Sequence, residues 1–318
     1  MNIYIPSVVT GADCKCFTEI FSVIPFINKI DIYDQITDIA GYWNEGLYSK
    51  LFLNPLLNIT HTEIAQADIV IIPFKYSPDD IRITKICDEA KSYSKHVVAF
   101  YNDDNSGSFT LPDNLFLFRT SATKSTLSSS ERILPVLIPD HKPGSLILNE
   151  YAPSDMNIGF CGHIEGVRRS IVEKMLQIST MFKPIIRHGF WAPGMCKIKA
   201  RREYYGDMRD CAFTLCMRGG GNFSYRFYEA LSFGRIPILI DTDIALPYEE
   251  NIKWNRHIIR IPIDTFMDMT SEDFISMMVT KKFSPASNRQ LWERYFSPEG
   301  YLDNLLPDEI TYLLHTKP

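Results

Sequence analysis

Residues 211–243 read CAFTLCMRGGGNFSYRFYEALSFGRIPILIDTD, and the fold turns on this stretch. Cys211–Met217 is a short apolar run with aromatic and β-branched members, which predicts a strand. Arg218-Gly219-Gly220-Gly221 follows as a loop with little side-chain bulk, so backbone N–H groups can approach an anion there. Ser224–Phe233 predicts a helix capped by Asn222 or Ser224, and Arg235–Asp241 predicts the next strand. The helix N-terminus would offer unpaired N–H groups and partial positive charge, a suitable seat for a diphosphate. Asn222, Arg226 and Glu229 are spaced four and three apart and would share one helix face, while Phe227, Ala230 and Leu231 share another. The guanidinium fork of Arg226 suits a diphosphate, and a carboxylate one turn deeper suits two vicinal ribose hydroxyls. Spacing alone leaves two plainer readings open. Arg226 and Glu229 could form a surface ion pair, and the glycine triplet could be a simple turn.

Outward from this segment, the pattern repeats. Asn157–Cys161 and Phe182–Ile186 predict strands, and Val167–Ser179 and Ile198–Asp210 predict helices. His257–Ile261 predicts a further strand, and the last sixty or so residues read mainly as helices. The first half has the same plan. Ile3–Val9, Asp68–Phe74, His96–Tyr101, Leu115–Arg119 and Ile133–Ile138 predict strands, and Pro78–Ser94 predicts a helix. Strands that are continuously apolar and separated by helices indicate parallel sheets covered on both faces. Asp140–Pro153 is rich in turn formers and predicts a linker. The chain of 318 residues is therefore expected to hold two domains, 1–145 and 146–318, with the final helices free to return to the first.

Composition narrows the function. The chain is 45% hydrophobic, 22% charged and 13% aromatic, which excludes a disordered or collagen-like chain. A formal net charge of −5 gives no overall basic field, so nucleic acid is not expected as a partner. The N-terminus Met1-Asn2-Ile3-Tyr4-Ile5-Pro6 lacks the pattern of a signal peptide, and no apolar run is long enough to span a membrane. A cytoplasmic location is expected. The seven cysteines include no C-x-x-C pair, so they are expected to be reduced and mostly buried rather than zinc ligands. The sequons at Asn58 and Asn222 carry no weight without a secretory route.

The central segment resembles the C-terminal motif of the exostosin-like glycosyltransferases, glycosyltransferase family 47. The matching pieces are the strand CAFTLCM with its glycine loop, the block Ser224-Tyr225-Arg226-Phe227-Tyr228-Glu229-Ala230-Leu231, and the strand Ile236-Pro237-Ile238-Leu239-Ile240. Leu246-Pro247-Tyr248-Glu249-Glu250 with Trp254 resembles the family's continuation. Fainter likenesses lie upstream at Ala67–Phe74, at Ile158–Gly162 with Arg168, and at Tyr205–Asp210. The resemblance implies a GT-B fold, with two Rossmann-like domains facing across a cleft. It implies an inverting transfer from a UDP-sugar, held by the C-terminal domain, to a glycan or polysaccharide acceptor. It places Ser224 and Arg226 on the diphosphate, Glu229 on the ribose and Arg168 on a phosphate. Family members of animals and plants are usually membrane-anchored; without such an anchor a soluble bacterial or viral version is expected.

A single displacement needs a base at the acceptor hydroxyl and positive groups at the leaving diphosphate. Arg226, Arg168, Arg218 and the helix end at Ser224 fit the second role. For the base, Asp13 and Glu165 rank first because both follow short strands; Glu19, Asp103, Asp104 and His163 are further candidates. His188 and Tyr225, among aromatics that suit a sugar or uracil ring, complete the candidate donor site. Asp241-Thr242-Asp243 has the D-x-D form of a metal site, but an acid at a strand end is common in turns. No cofactor beyond the donor is expected, and no essential metal. Two alternatives stand beside this reading. One is a fucosyltransferase-like enzyme using a GDP-sugar; the other is a non-catalytic nucleotide-sugar-binding partner in a glycan-assembly complex.

Overall fold

The computed structural model describes residues 2–4, 6, 60–136, 138, 157–190, 192–280, 284–297, 300–301 and 306–315. The chain is α/β and divides into two compact units, Met1–Pro139 with Arg294–Pro318, and Asp140–Glu293. The segment 294–318 thus groups with the first unit rather than with 146–293. The expected linker lies outside the described residues.

The first unit carries a six-stranded sheet of order β2-β1-β3-β4-β5-β6, every pair parallel. Its strands are β1 (Asn2–Tyr4), β2 (Thr60–His61), β3 (Ile69–Lys75), β4 (Val97–Tyr101), β5 (Leu115–Arg119) and β6 (Glu131–Ile133). Every residue of β4 and β5 is buried, which explains why these strands read as unbroken apolar runs. Helix α1 (Ile81–Ser92) starts where the Asp80 carboxylate accepts the Arg82 N–H at 3.0 Å. It turns Ile83, Ile86, Cys87 and Ala90 inward at helical spacing. The strand expected at Ile133–Ile138 ends at Ile133 instead. A fully buried ion pair, Arg119–Glu131 at 2.6 Å, fastens β5 to β6. Arg119 also donates to the carbonyls of Gly107 and Asn105 at 2.7 Å each, which pins the loop after β4.

The second unit carries a five-stranded parallel sheet of order β11-β10-β9-β7-β8. Its strands are β7 (Ile158–His163), β8 (Phe182–Arg187), β9 (Phe213–Cys216), β10 (Ile236–Asp241) and β11 (Ile259–Pro262). The helices are α2 (Val167–Ile178), α3 (Lys197–Asp210), α4 (Tyr225–Ser232), α5 (Ile263–Asp268), α6 (Ser271–Thr280) and α7 (Pro285–Tyr295); α8 (Leu306–His315) belongs to the first unit. The core joins Ile171, Val172 and Met175 of α2 to Ile158, Phe160, Leu215 and Ile238 of the strands and Phe266 and Phe274 of α5 and α6. Buried polar side chains close the helix ends. Arg235 donates to the carbonyls of Met208 and Arg209 at the end of α3. Arg289 donates to Ser232 at the end of α4. Five cysteines are free among the described residues, and only Cys196 of these is exposed.

Candidate functional site

The chain leaves β7 for β8 on one side and then crosses to β9 on the other. The strand order therefore reverses between β7 and β9, and in such sheets the crevice beyond the strand ends is where ligands bind. The β7–β9 ladder pairs only Ile158 with Phe213 and Gly159 with Thr214. Past that point, a side chain from α4 enters: Arg226 donates through Nη2 to the Cys161 carbonyl.

Arg226 is held from three sides. Its guanidinium lies 4.3 Å from the Phe160 ring centre and 5.3 Å from that of Tyr204. Below it is Gly162, where a Cβ would sit 2.9 Å from Arg226 Nη2 and 3.7 Å from Arg168 Nη2. The absence of a side chain at Gly162 thus lets two guanidinium groups gather over the end of β7. Neither is ion-paired among the described residues, and the Nε of each is shielded from solvent with no hydrogen-bond partner among them. The expected alternative of a surface Arg226–Glu229 pair is not what forms. Burial, and after it the neighbouring charge of Arg226, pulls Arg168 down to about 10, so both remain cationic at neutral pH. Burial also opposes the charge of Arg226, but Tyr204, Cys216 and Glu229 around it hold its pKa above the ordinary value.

Glu229 has no exposed surface and accepts the hydroxyl hydrogen of Tyr204 from α3. Burial, reinforced by the Glu229 charge, raises the Tyr204 pKa well above its usual value. A ribose hydroxyl reaches this carboxylate only if Tyr204 gives way. One turn along α3, Asp207 packs over Gly159, whose absent Cβ would meet its carboxyl oxygens at 2.9 and 3.0 Å. Burial raises Asp207 to about 6, against the pull of Arg226 and a hydrogen bond from the Phe160 backbone. Neither Asp207 nor Tyr204 stands out as a site residue in the sequence pattern. Their spacing of three on a charged helix, beside buried Met208, was the available signal.

The helix begins at Tyr225, later than expected, with Ser224 at the cap position but without a side-chain cap bond. Asn222 therefore lies in the loop and shares no helix face with Arg226. It is buried, donates to the carbonyls of Thr242 and Asp243 at 3.2 and 3.1 Å, and accepts from Thr242 Oγ1 at 2.7 Å. Its amide ties the loop to the end of β10, and of the two expected caps it is Ser224, not Asn222, that stands at the cap position. The same bonds occupy the D-x-D segment. Asp241 accepts from the Ile244 N–H at 2.7 Å and from Arg260 at 2.7 Å, so it closes a turn. Arg218 reaches back to the Gly220 carbonyl at 3.0 Å, and Gly219 and Gly220 are exposed. Tyr225 packs its ring against Phe223, centres 5.4 Å apart.

Beyond β7, Phe190 is flanked by His163, ring centres 5.0 Å apart, and by the Arg168 guanidinium at 5.5 Å. His163 Nε2 lies 3.4 Å from Glu165, which is largely exposed. The fold thus brings Glu165, His163 and Arg168 to one strand end. His188 is exposed in the bend after β8. Asp13 lies outside the described residues.

Part of this arrangement lies in a segment that matches a known domain. Residues 164–271 match the Exostosin GT47 domain. The match contains Glu165, Arg168, Arg226 and Glu229 among the candidate residues, whereas Asp13, Glu19, Asp103, Asp104 and His163 lie outside it. Sequence relatives include the Probable beta-1,4-xylosyltransferase IRX10L of Arabidopsis thaliana, 35% identical over 77 residues. That alignment covers 24% of this chain and 17% of the relative. The Probable glucuronosyltransferase GUT1 of Oryza sativa subsp. japonica is 43% identical over 53 residues, 17% of this chain and 13% of the relative. The aligned segments are thus a small part of the relatives' length. Among solved structures, an alpha1,3-fucosyltransferase with GDP-fucose aligns over 100% of this chain and 91% of its own, with TM-score 0.43 and 13% identity. A glycosyltransferase involved in Avilamycin A biosynthesis aligns over 85% of this chain and 89% of its own, with TM-score 0.42 and 10% identity. No helix among the described residues is long and apolar enough to cross a membrane.

Proposed function

We propose that this protein is an inverting GT-B glycosyltransferase that moves a sugar from a UDP-sugar to a glycan or polysaccharide acceptor. The observation that carries the reading is the pair Arg168 and Arg226, gathered over Gly162 at the sheet's reversal point with no direct ion pair to either among the described residues. The charge of Arg226 opposes that of Arg168, and a diphosphate would relieve that repulsion. In the transfer, the nucleoside diphosphate leaves as negative charge builds on it, and the two guanidinium groups would stabilise that charge. The N–H groups at the start of α4 and the glycine loop would add to it. The base would be Glu165, beside His163, or Asp13. Glu229 would act on the ribose after displacing Tyr204, or hold Arg226 in place through Tyr204. The exostosin GT47 match and the xylosyl- and glucuronosyltransferase relatives support the sugar-transfer chemistry.

The test is thermal unfolding of the full chain with UDP and with GDP. A ligand that binds the native state raises its midpoint by mass action. UDP is expected to raise it and GDP to have little effect. Arg226→Ala and Arg168→Ala are each expected to abolish the UDP shift while the chain still unfolds cooperatively. A shift with GDP alone would turn the reading to a GDP-sugar enzyme. No shift with either nucleotide would reject it, and binding without donor hydrolysis would mark a non-catalytic partner.

A further inference from the structure

The chain is acidic overall, but residues 174–202 contain seven Lys or Arg and no Asp or Glu. Much of this segment forms β8, the loop after it and the start of α3 in the second unit. β8 is the edge of its sheet, and the loop after it leads directly into α3. Arg187 at the end of β8 bonds Glu203 of α3 at 2.7 Å, which fixes the start of α3 beside the strand. Lys197, Lys199, Arg201 and Arg202 then crowd the first two turns of α3, all exposed, with no acidic residue in the first turn. The positive end of a helix dipole disfavours cations, so helix stability does not account for them. Lys197, Lys199 and Arg202 have no carboxylate partner among the described residues.

Exposed apolar side chains occur in the same segment. Ile198, between Lys197 and Lys199, is 64% exposed; Phe190 is 56% and Ile186 46% exposed. A purely electrostatic contact with a soluble polyanion gains nothing from exposing isoleucine and phenylalanine. A lipid surface gains from both, because the cations meet anionic headgroups while the apolar groups enter the interface. Strand addition at the open edge of β8 is disfavoured, since Lys183 and Pro184 stand on it and both residue types block edge pairing.

We infer that this surface docks the protein on a membrane carrying anionic lipids. The inference does not depend on the sugar-transfer reading, because it is tested without nucleotide. Vesicles of phosphatidylcholine with about one-third phosphatidylglycerol are sedimented with the full chain, beside vesicles of phosphatidylcholine alone. Sedimentation with the anionic vesicles only, reversed by salt, is expected. Lys197→Glu combined with Lys199→Glu and Arg202→Glu should weaken it by about a hundredfold or more. Ile198→Ser, which keeps every charge, should weaken it severalfold, with unfolding midpoints unchanged for both variants. No binding to the anionic vesicles, or equal binding to neutral ones, would overturn the inference. So would an Ile198→Ser variant that binds vesicles as the parent does while both bind soluble heparin equally, which would make the surface a polyanion site.

Discussion

At the scale of single residues, Arg226 shows what a sequence can and cannot reveal. Its place on a helix after a glycine loop made it a candidate, and it does lie at the reversal point of the sheet. Its setting was not legible. Phe160, Cys161 and Gly162 lie about sixty residues earlier, and Tyr204 and Asp207 about twenty earlier; no local pattern joins them. Asp207 gives a prediction with a definite sign. Burial lifts its folded pKa to about 6, above the roughly 3.9 of an unfolded chain. Between these values the native state binds more protons than the unfolded state. Stability therefore falls as pH rises from about 4 to 6, and the whole penalty is present at pH 7 and above. Asp207→Asn keeps an acceptor for the Phe160 N–H but removes the charge. We expect it to unfold at higher urea than the parent at pH 8, by about 1–3 kcal/mol, with the advantage gone near pH 4. Urea titrations at both pH values measure this, and equal stability of parent and variant at pH 8 would contradict it.

At the scale of elements, most strands and helices were legible to within one or two residues, because parallel strands buried on both faces read as unbroken apolar runs. β4, β5 and β10 are examples. The ends were less legible, and at the site an end matters. Starting α4 at Tyr225 rather than Ser224 goes with Asn222 lying in the loop, where its amide serves the backbone of β10's end. The sequence could not distinguish a cap from a clip, because both uses employ the same short polar side chain. The clip predicts a stability effect distinct from a binding effect. Asn222→Ala leaves the Thr242 and Asp243 carbonyls without their side-chain donor in a buried setting and should cost about 1–3 kcal/mol. Chemical denaturation is expected to show that loss. The nucleotide affinity of the folded fraction should change far less than in Arg226→Ala; an equal loss of affinity would return Asn222 to the ligand.

At the scale of the whole molecule, the chain divides near residue 140 and 294–318 groups with the first unit, a return that the sequence pattern leaves open for the final helices. That return depends on side chains far apart in sequence. Arg132 pairs with Glu309 at 3.4 Å, while just upstream of the boundary Asn288 and Arg289 bind the second unit through Arg235, His257 and Ser232. Each unit has its own core, so ligand effects can be read unit by unit. If Arg168 and Arg226 hold the diphosphate, UDP should slow amide hydrogen exchange in the segments around them. These are the end of β7 with the start of α2, and the glycine loop with the first turn of α4. Opening of those segments competes with binding, so the protection should grow with UDP concentration. Amides of β4 and β5 in the first unit, buried in a separate core, should exchange at unchanged rates. Arg226→Ala should erase the protection in both segments of the second unit. Protection that appears first in β4 and β5, or that survives Arg226→Ala, would place the nucleotide elsewhere and remove the arginine pair from the mechanism.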